Sequence, residues 1–393
     1  MEMMLVRVES SMPADRQKVV LVTNSLMVGG LCSVIVEQAH AFDRAGCEVH
    51  VVLLNSNSEA AEESPCSVHY LPLSDSHVRL RHRVLYALFR PFLKGIGNWF
   101  SARYNCKRFN QFLRELGVAC DDVVILHGFR TVVSLRQFDH PGLIKVMHEM
   151  QSDHVGPFGG GLGALRAYFV RACYVKGARV AVSEAVKLDY REKIKGKGAV
   201  EVISNGINSA RVIALSEASK GPCFSRPYIV SVGRLVPVKG FDVLIRAFGK
   251  SAISKTHDLV IVGEGKELDG LAALANEVGV PEKIHFPGYI SPPFSIVRKA
   301  DLYVGASYHE GFGLALLEAI ALGVPVMASR VSGFEEIVRH CGGVMFEAGD
   351  VDGLSELLDQ FKPGVACEDG LALDRYGFDA LVKQYLRLRT KES

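Results

Sequence analysis

The sequence predicts an α/β protein made of two doubly wound parallel-sheet domains in series. Three observations carry that expectation. The chain has 393 residues, too long for one compact core, so two or three domains are expected. Short apolar, β-branched runs alternate with longer helical patterns, as βαβ units do. The alternation stops near the middle of the chain and starts afresh near Tyr228.

In the first half the expected strands are 19–23 (VVLVT), 49–54 (VHVVLL), 123–127 (VVILH), 144–148 (IKVMH) and 180–182. Between the first two lies SVIVEQAHAFDRAG. Its apolar positions Val34, Ile35, Ala39, Ala41 and Phe42 fit the inner face of a helix closed by Gly46. Strands that are apolar throughout imply a parallel sheet covered on both faces. In the second half, 228–232 (YIVSV) precedes the helical FDVLIRAFGK. Further strands are expected at 259–262, 283–286, 302–305, 324–328 and 343–346, with a helix through LDGLAALANEVG. The stretch 207–227 has little strand signal and contains Gly221-Pro222 and Arg226-Pro227, so it reads as the linker region. The expected domains are 1–205 and 206–375. The basic, helical segment 376–393 is expected to cross back to the first domain. Two such domains facing a cleft put ligands at the carboxyl ends of strands. Chemistry is therefore sought on loops that follow strands.

Composition sets bounds. Forty-eight percent apolar and 22% charged residues suit a globular chain with large cores. Lys and Arg number 45 against 43 Asp and Glu, a net charge of +2, which argues against a protein held to nucleic acid by overall charge. The nine cysteines are widely spaced, form no CxxC and show no zinc spacing, so reduced thiols are expected. The start, MEMMLVRVESSMPADRQ, carries Glu2, Glu9 and Asp15 and is not read as a secretory signal. No run of 18 apolar residues suggests a spanning helix. The expected location is the cytoplasm, with peripheral contact at the inner face of the cell membrane.

The stretch with most chemical content is HEGFGLALLEAIALGVPV, from His309 to Val326. Gly311 and Gly313 allow a tight turn and a close backbone approach to a ligand. A helix starting near Gly313 or Leu314 would turn its free N–H groups toward that ligand and hold an anion. Glu310 would sit on the loop and Glu318 about one turn inside the helix. Carboxylates that accept hydroxyl hydrogens beside phosphate-binding amides suit a sugar nucleotide. On spacing alone, a plain turn with an exposed helix glutamate fits equally well. The second stretch is VSVGRLVPVKGFDVLI, where Arg234 and Lys239 share a loop flanked by Gly233 and Gly240. Two cations beside helix-start amides suit a diphosphate.

Other features carry less. Gly29 and Gly30 follow the first strand in a loop able to approach a phosphate, but the loop is not GxGxxG, and Gly263-Glu264-Gly265 also departs from that pattern. No nicotinamide or flavin fingerprint is present. His127 and His148 each end a strand and put an imidazole at the ligand end, although structural histidines would look the same. Asp350-Val-Asp352 could hold a metal but follows Gly349 in a late loop and reads better as a helix N-cap. No other cluster has metal spacing.

Together these stretches resemble the retaining, nucleotide-sugar-dependent glycosyltransferases of family 4, which have the GT-B fold. The resemblance rests on GRLVPVKGFDVLIRAF, LVIVGEGKELDGLAAL, IHFPGYI and EGFGLALLEAIALGVPV, and runs from about Val202 to about Phe346. The first half is similar more loosely, through the GG loop, FDRAGCEVHVV, His148-Glu149 and VSEAVK. The loop reads GGLCSVIVE, with Leu31 and Cys32 where the family often has a polar, then basic stretch. The resemblance implies roles. Arg234 and Lys239 would bind the donor diphosphate, Glu318 the ribose hydroxyls, and Glu310 the hydroxyls of the transferred sugar. Amides of Phe312, Gly313 and Leu314 would support sugar and phosphate, and Ile290 would lie near the base. Gly29, Gly30 and Gly263 would lie close to the donor, and His148 would approach the donor sugar at its 6-hydroxyl. It implies no cofactor and no metal, with a UDP- or GDP-type sugar as donor substrate.

Residues 76–114 hold no Asp or Glu but nine Lys and Arg, interleaved with Leu80, Leu85, Phe89, Phe92, Trp99 and Phe100. Such a mixture suits anionic lipid. A helical pair with a solvated basic face would read the same way. Residues 1–200 carry 25 basic and 19 acidic side chains, residues 201–393 carry 20 and 24. The first half is thus read as facing a glycan or lipid-linked acceptor, as in lipopolysaccharide or other cell-surface polysaccharide assembly. A sugar-nucleotide epimerase, a small-acceptor synthase and a non-catalytic partner subunit remain as alternatives.

Overall fold

The computed structural model describes residues 16–25, 30–55, 66–73, 101–156, 160–219, 221–364 and 370–388. Gly29 and most of the basic-aromatic stretch, residues 76–100, lie outside the described residues. The chain divides into two compact units, Met1–Gly206 with Phe378–Ser393, and Ile207–Gly377.

The first unit is built on a seven-stranded sheet of β1 (Lys18–Thr23), β2 (Glu48–Leu53), β3 (Ser67–Tyr70), β4 (Val123–His127), β5 (Leu143–Met147), β6 (Ala178–Ala181) and β7 (Glu201–Val202). Its order is β3-β2-β1-β4-β5-β6-β7, with every pairing parallel. Val19 to Val22 and Val123 to Leu126 are completely buried, as both-face coverage of a parallel sheet requires. The short edge strand β3 was not expected. It has no continuous apolar run, and its residues are at most half-buried. β5 ends at Met147, one residue before the expected end, so His148 begins the loop rather than closing the strand.

Among the described residues of this unit, the helices between strands are α1 (Gly30–Arg44), α2 (Ala102–Glu115), α3 (Phe129–Ser134), α4 (Gly160–Cys173) and α5 (Glu184–Glu192). α1 buries Val34, Ile35, Ala39 and Phe42, the expected face, but starts at Gly30, ahead of the expected Ser33. The last helix, Phe378–Leu388, packs on it. Tyr385 meets Phe42 edge-on at 6.3 Å, and Arg44 pairs with Asp379 at 3.1 Å. Phe378 and Leu381 fill the space where Gly206 lacks a side chain.

The second unit has a six-stranded parallel sheet of β8 (Tyr228–Val232), β9 (Asp258–Val262), β10 (Ile284–His285), β11 (Leu302–Gly305), β12 (Val326–Ser329) and β13 (Val344–Phe346), in the order β10-β9-β8-β11-β12-β13. Its helices are α6 (Ser209–Ala218), α7 (Phe241–Lys250), α8 (Leu268–Glu277), α9 (Phe294–Val297), α10 (Leu314–Ala321), α11 (Ser332–Cys341) and α12 (Val351–Gln360). One departs from the sequence reading. The stretch taken as linker contains α6, because the Asn208 side chain accepts the Arg211 N–H at 3.1 Å and caps a helix that buries Val212 and Ser216. Asp350 accepts the Gly353 N–H at 2.9 Å as the N-cap of α12, while Asp352 turns away to pair with Lys250.

Strand order reverses between β1 and β4 in the first unit and between β8 and β11 in the second. In open α/β sheets, ligands bind outside the carboxyl ends of strands at such a switch point.

Candidate active site

At the carboxyl end of the second sheet, loops after β8, β9 and β11 touch backbone to backbone. Gly263 has φ +148°, and a Cβ there would lie 1.9 Å from the Gly233 carbonyl oxygen. Gly240, at φ +62°, would place one 2.1 Å from the Ala306 oxygen. Only glycine permits either approach. Main-chain bonds then tie the loops together, with Leu235 N–H to Glu264 O at 2.8 Å, Gly263 N–H to Gly288 O at 2.9 Å, and Tyr308 N–H to Val238 O at 2.8 Å. Buried hydroxyls hold the strand ends, Ser231 donating to Val304 O and Ser329 to Ser307 O, each at 2.6 Å.

This framework brings several predicted residues to one place. Lys239 donates to Glu310 Oε1, and Ser307 Oγ donates to the same oxygen at 3.2 Å. The two charged side chains are 21% and 15% exposed, so water screens them less than it does a surface pair. Arg234 lies exposed on the loop that carries Lys239. The main chain of Glu310 is fixed from behind, since a Cβ on Gly333 of α11 would lie 2.6 Å from its carbonyl oxygen.

Gly313, at φ +102°, caps α10 with no side-chain hydrogen bond. The Leu316 and Leu317 N–H groups return to its carbonyl, so the N–H groups of Leu314 and Ala315 have no acceptor within the helix. The Phe312 ring is buried edge-on to Tyr376 at 5.8 Å, which leaves only its main chain for binding. Glu318 lies on α10. The residue keeps some accessible surface, but its carboxyl group is enclosed by packed atoms, and that desolvation pushes its pKa up to about 7. The buried Tyr303 phenol of β11 lies within electrostatic reach of Glu310 and Glu318 and hydrogen-bonds the Val232 backbone. The sequence reading missed it as an apolar strand position. Ile290 is half-buried on the loop after β10.

The first unit has its own pocket of about 370 Å³ at its switch point. Thr23, Asn24 and Ser25 line it from β1, His127, Phe129 and Thr131 from β4 and α3, and Glu149 and His154 from the loop after β5. Gly30 is exposed at the start of α1. His127 Nδ1 lies 2.9 Å from His148 Nε2. Burial holds both rings neutral, His127 well below the usual histidine range and His148 down to about 4. His127, and not His148, lines the pocket. The Phe129 ring stacks on His154 at 3.7 Å, and His154 Nε2 lies 3.1 Å from Glu149 Oε1. His154 carries no sequence signal, because its stacking partner Phe129 is remote in the chain, on a six-residue helix without a clear apolar period.

Comparison with known proteins follows this division. Residues 219–363 match the family described as glycosyl transferases group 1, and residues 28–211 match glycosyltransferase family 4. The lipopolysaccharide core biosynthesis glycosyltransferase LpsE of Rhizobium meliloti is 29% identical over 241 residues, 61% of this chain and 69% of that protein. Another curated relative, an uncharacterized glycosyltransferase of Methanocaldococcus jannaschii, is matched over 65% of its length. Among solved structures, a sucrose-phosphate synthase from Thermosynechococcus elongatus superposes with a TM-score of 0.71 at 19% identity, covering 96% of this chain and 99% of the other. Anabaena HepE, solved with UDP-glucose, gives 0.68 at 15% identity over 95% and 100%.

Glu318 has a consequence for stability. Its folded pKa is raised from 4.5 to about 7, so the fold disfavours the charged form and loses stability as pH climbs through that window. Glu318→Gln should raise the urea midpoint of the second unit at pH 8 and leave it unchanged at pH 4.5. A wild-type midpoint at pH 8 would contradict the buried carboxyl.

Proposed function

The chain belongs to the group 1 glycosyltransferases of family 4, with the GT-B fold, and on that premise we propose that it moves a sugar, with retention of configuration, from a nucleotide-sugar donor to a glycan or lipid-linked acceptor in cell-surface polysaccharide assembly. The observation that carries this reading is the cluster of Lys239, Glu310 and Ser307, with Arg234 exposed on the Lys239 loop and Gly313, the N-cap of α10, three residues after Glu310. Glycosyl transfer builds positive charge on the sugar ring and negative charge on the leaving diphosphate. Fixed cations and helix-start amides stabilise the latter without reorganising, often the largest single contribution to catalysis.

Each residue then has a role. Arg234 and Lys239 bind the diphosphate and stabilise it as it leaves. The amides of Phe312, Gly313 and Leu314 support phosphate and sugar. Glu318 accepts from the ribose hydroxyls and Glu310 from hydroxyls of the transferred sugar. Lys239 and Ser307 both donate to Glu310 Oε1, which suits a hydrogen-bonding carboxylate better than a nucleophile. Retention then follows from attack on the face the diphosphate leaves, with a phosphate oxygen taking the acceptor proton. Gly30 approaches the phosphates, Ile290 the base, and His148 a hydroxyl of the sugar. The reaction as read needs no metal and no cofactor.

The HepE complex makes a UDP-sugar the first donor to test, and LpsE makes a lipopolysaccharide-type glycan the first acceptor. On the acceptor side, α2 buries Phe109 and Leu113 and exposes Arg103, Lys107 and Arg114. That basic face supports contact with an anionic membrane at its cytoplasmic side. No helix among the described residues is long and apolar enough to cross a membrane.

A panel of UDP- and GDP-sugars scored for slow hydrolysis tests the donor without any acceptor. Glu310→Gln and Lys239→Ala should each lower turnover about a hundredfold or more while the proteins stay folded by circular dichroism. Full activity in both variants would remove the site assignment. In liposome co-sedimentation, binding should grow with the anionic lipid fraction and weaken in salt. Equal, salt-independent binding to neutral vesicles would defeat the electrostatic contact.

A further inference from the structure

The histidine pair of the first unit fixes more than a position. A neutral imidazole has one donor nitrogen and one acceptor nitrogen, so a 2.9 Å contact between His127 Nδ1 and His148 Nε2 requires one ring to donate and the other to accept. His127 decides which. Its residue is completely buried, and its Nε2 has no hydrogen-bond partner among the described residues. If His148 donated, the proton of His127 would sit on that Nε2, a buried N–H with no acceptor. Orphaned N–H groups are rarer in folded proteins than under-satisfied acceptors. With His127 donating from Nδ1, the orphan is only a lone pair. His148 Nε2 is then the acceptor, and the proton of His148 sits on Nδ1. That nitrogen makes no hydrogen bond among the described residues, and His148 retains partial exposure at the start of the loop after β5.

We infer that His127 is a positioning residue that holds His148 as a neutral Nδ1–H donor, so that His148 gives a hydrogen bond to an oxygen of the sugar and takes no proton from it. This rests on the reading above that His148 meets the sugar, but the tautomer stands on its own geometry. Burial agrees, since it keeps both rings uncharged.

The test uses the full chain with ¹⁵N-labelled histidine and no ligand. Two-bond ¹H–¹⁵N correlation at pH 7.5 should show His148, assigned through His148→Ala, with a protonated Nδ1 and a bare Nε2. A protonated Nε2 on His148, or a charged ring, would overturn the inference. His127→Asn keeps an amide N–H near the Nδ1 position and should preserve that pattern, whereas His127→Leu should shift His148 toward the Nε2–H form. In donor hydrolysis, His127→Leu should lower kcat about tenfold, and His127→Asn should restore it to within about twofold of wild type. Adding His127→Leu to His148→Ala should cost nothing further, because His127 acts through His148. Additive losses, or equal losses in the Asn and Leu variants, would make the residue merely structural and overturn the proposal. Failure of the wild type to hydrolyse any nucleotide sugar would count against the transferase reading, while the correlation spectrum still decides the tautomer.

Discussion

The second unit depends on the backbone contact made where Gly263 meets the Gly233 carbonyl and Gly240 meets that of Ala306. Any side chain at either glycine would push apart loops that belong to three different strands. With the loops in register, Lys239 comes from the loop after β8 and Glu310 from the loop after β11, and the two meet as an ion pair. The pair is thus a product of main-chain packing and not of mutual attraction alone. A part-buried ion pair is weak evidence of stability, because desolvation offsets much of the Coulomb attraction. Its geometry is better explained by what it can bind.

The two units solve the electrostatic problem differently. The second concentrates charge, with Lys239 paired to Glu310, Arg234 exposed on the Lys239 loop and an enclosed Glu318 on α10. The first holds two histidines neutral by burial at the end of β4 and after β5, while Arg130 and Glu149 line the pocket beside them.

The fold was largely legible in the sequence because parallel strands buried on both faces must be apolar throughout. The runs at 123–127, 228–232 and 302–305 coincide with β4, β8 and β11. The edge strand β3 escaped, since a half-exposed four-residue strand carries no such run. Helix α6 escaped because its flanking Gly-Pro and Arg-Pro pairs hid the Asn208 cap. In the site, glycines beside charged residues on loops that follow strands flagged Lys239 and Glu310. The sequence could not show that Lys239 and Glu310 pair, that Tyr303 lies within reach of both carboxylates, or that His127 contacts His148 across 21 residues. Those facts arise from tertiary contact, and spacing along the chain does not encode them.

The central claim is that the carboxyl end of the second sheet binds a nucleotide sugar. Hydrogen exchange followed by mass spectrometry, with and without a UDP-sugar, tests it most directly. Protection is predicted in peptides covering 233–240, 263–265 and 306–318, with little change in α8 and α12. Protection confined to the first unit, or none in those three loops at saturating nucleotide sugar, would contradict it.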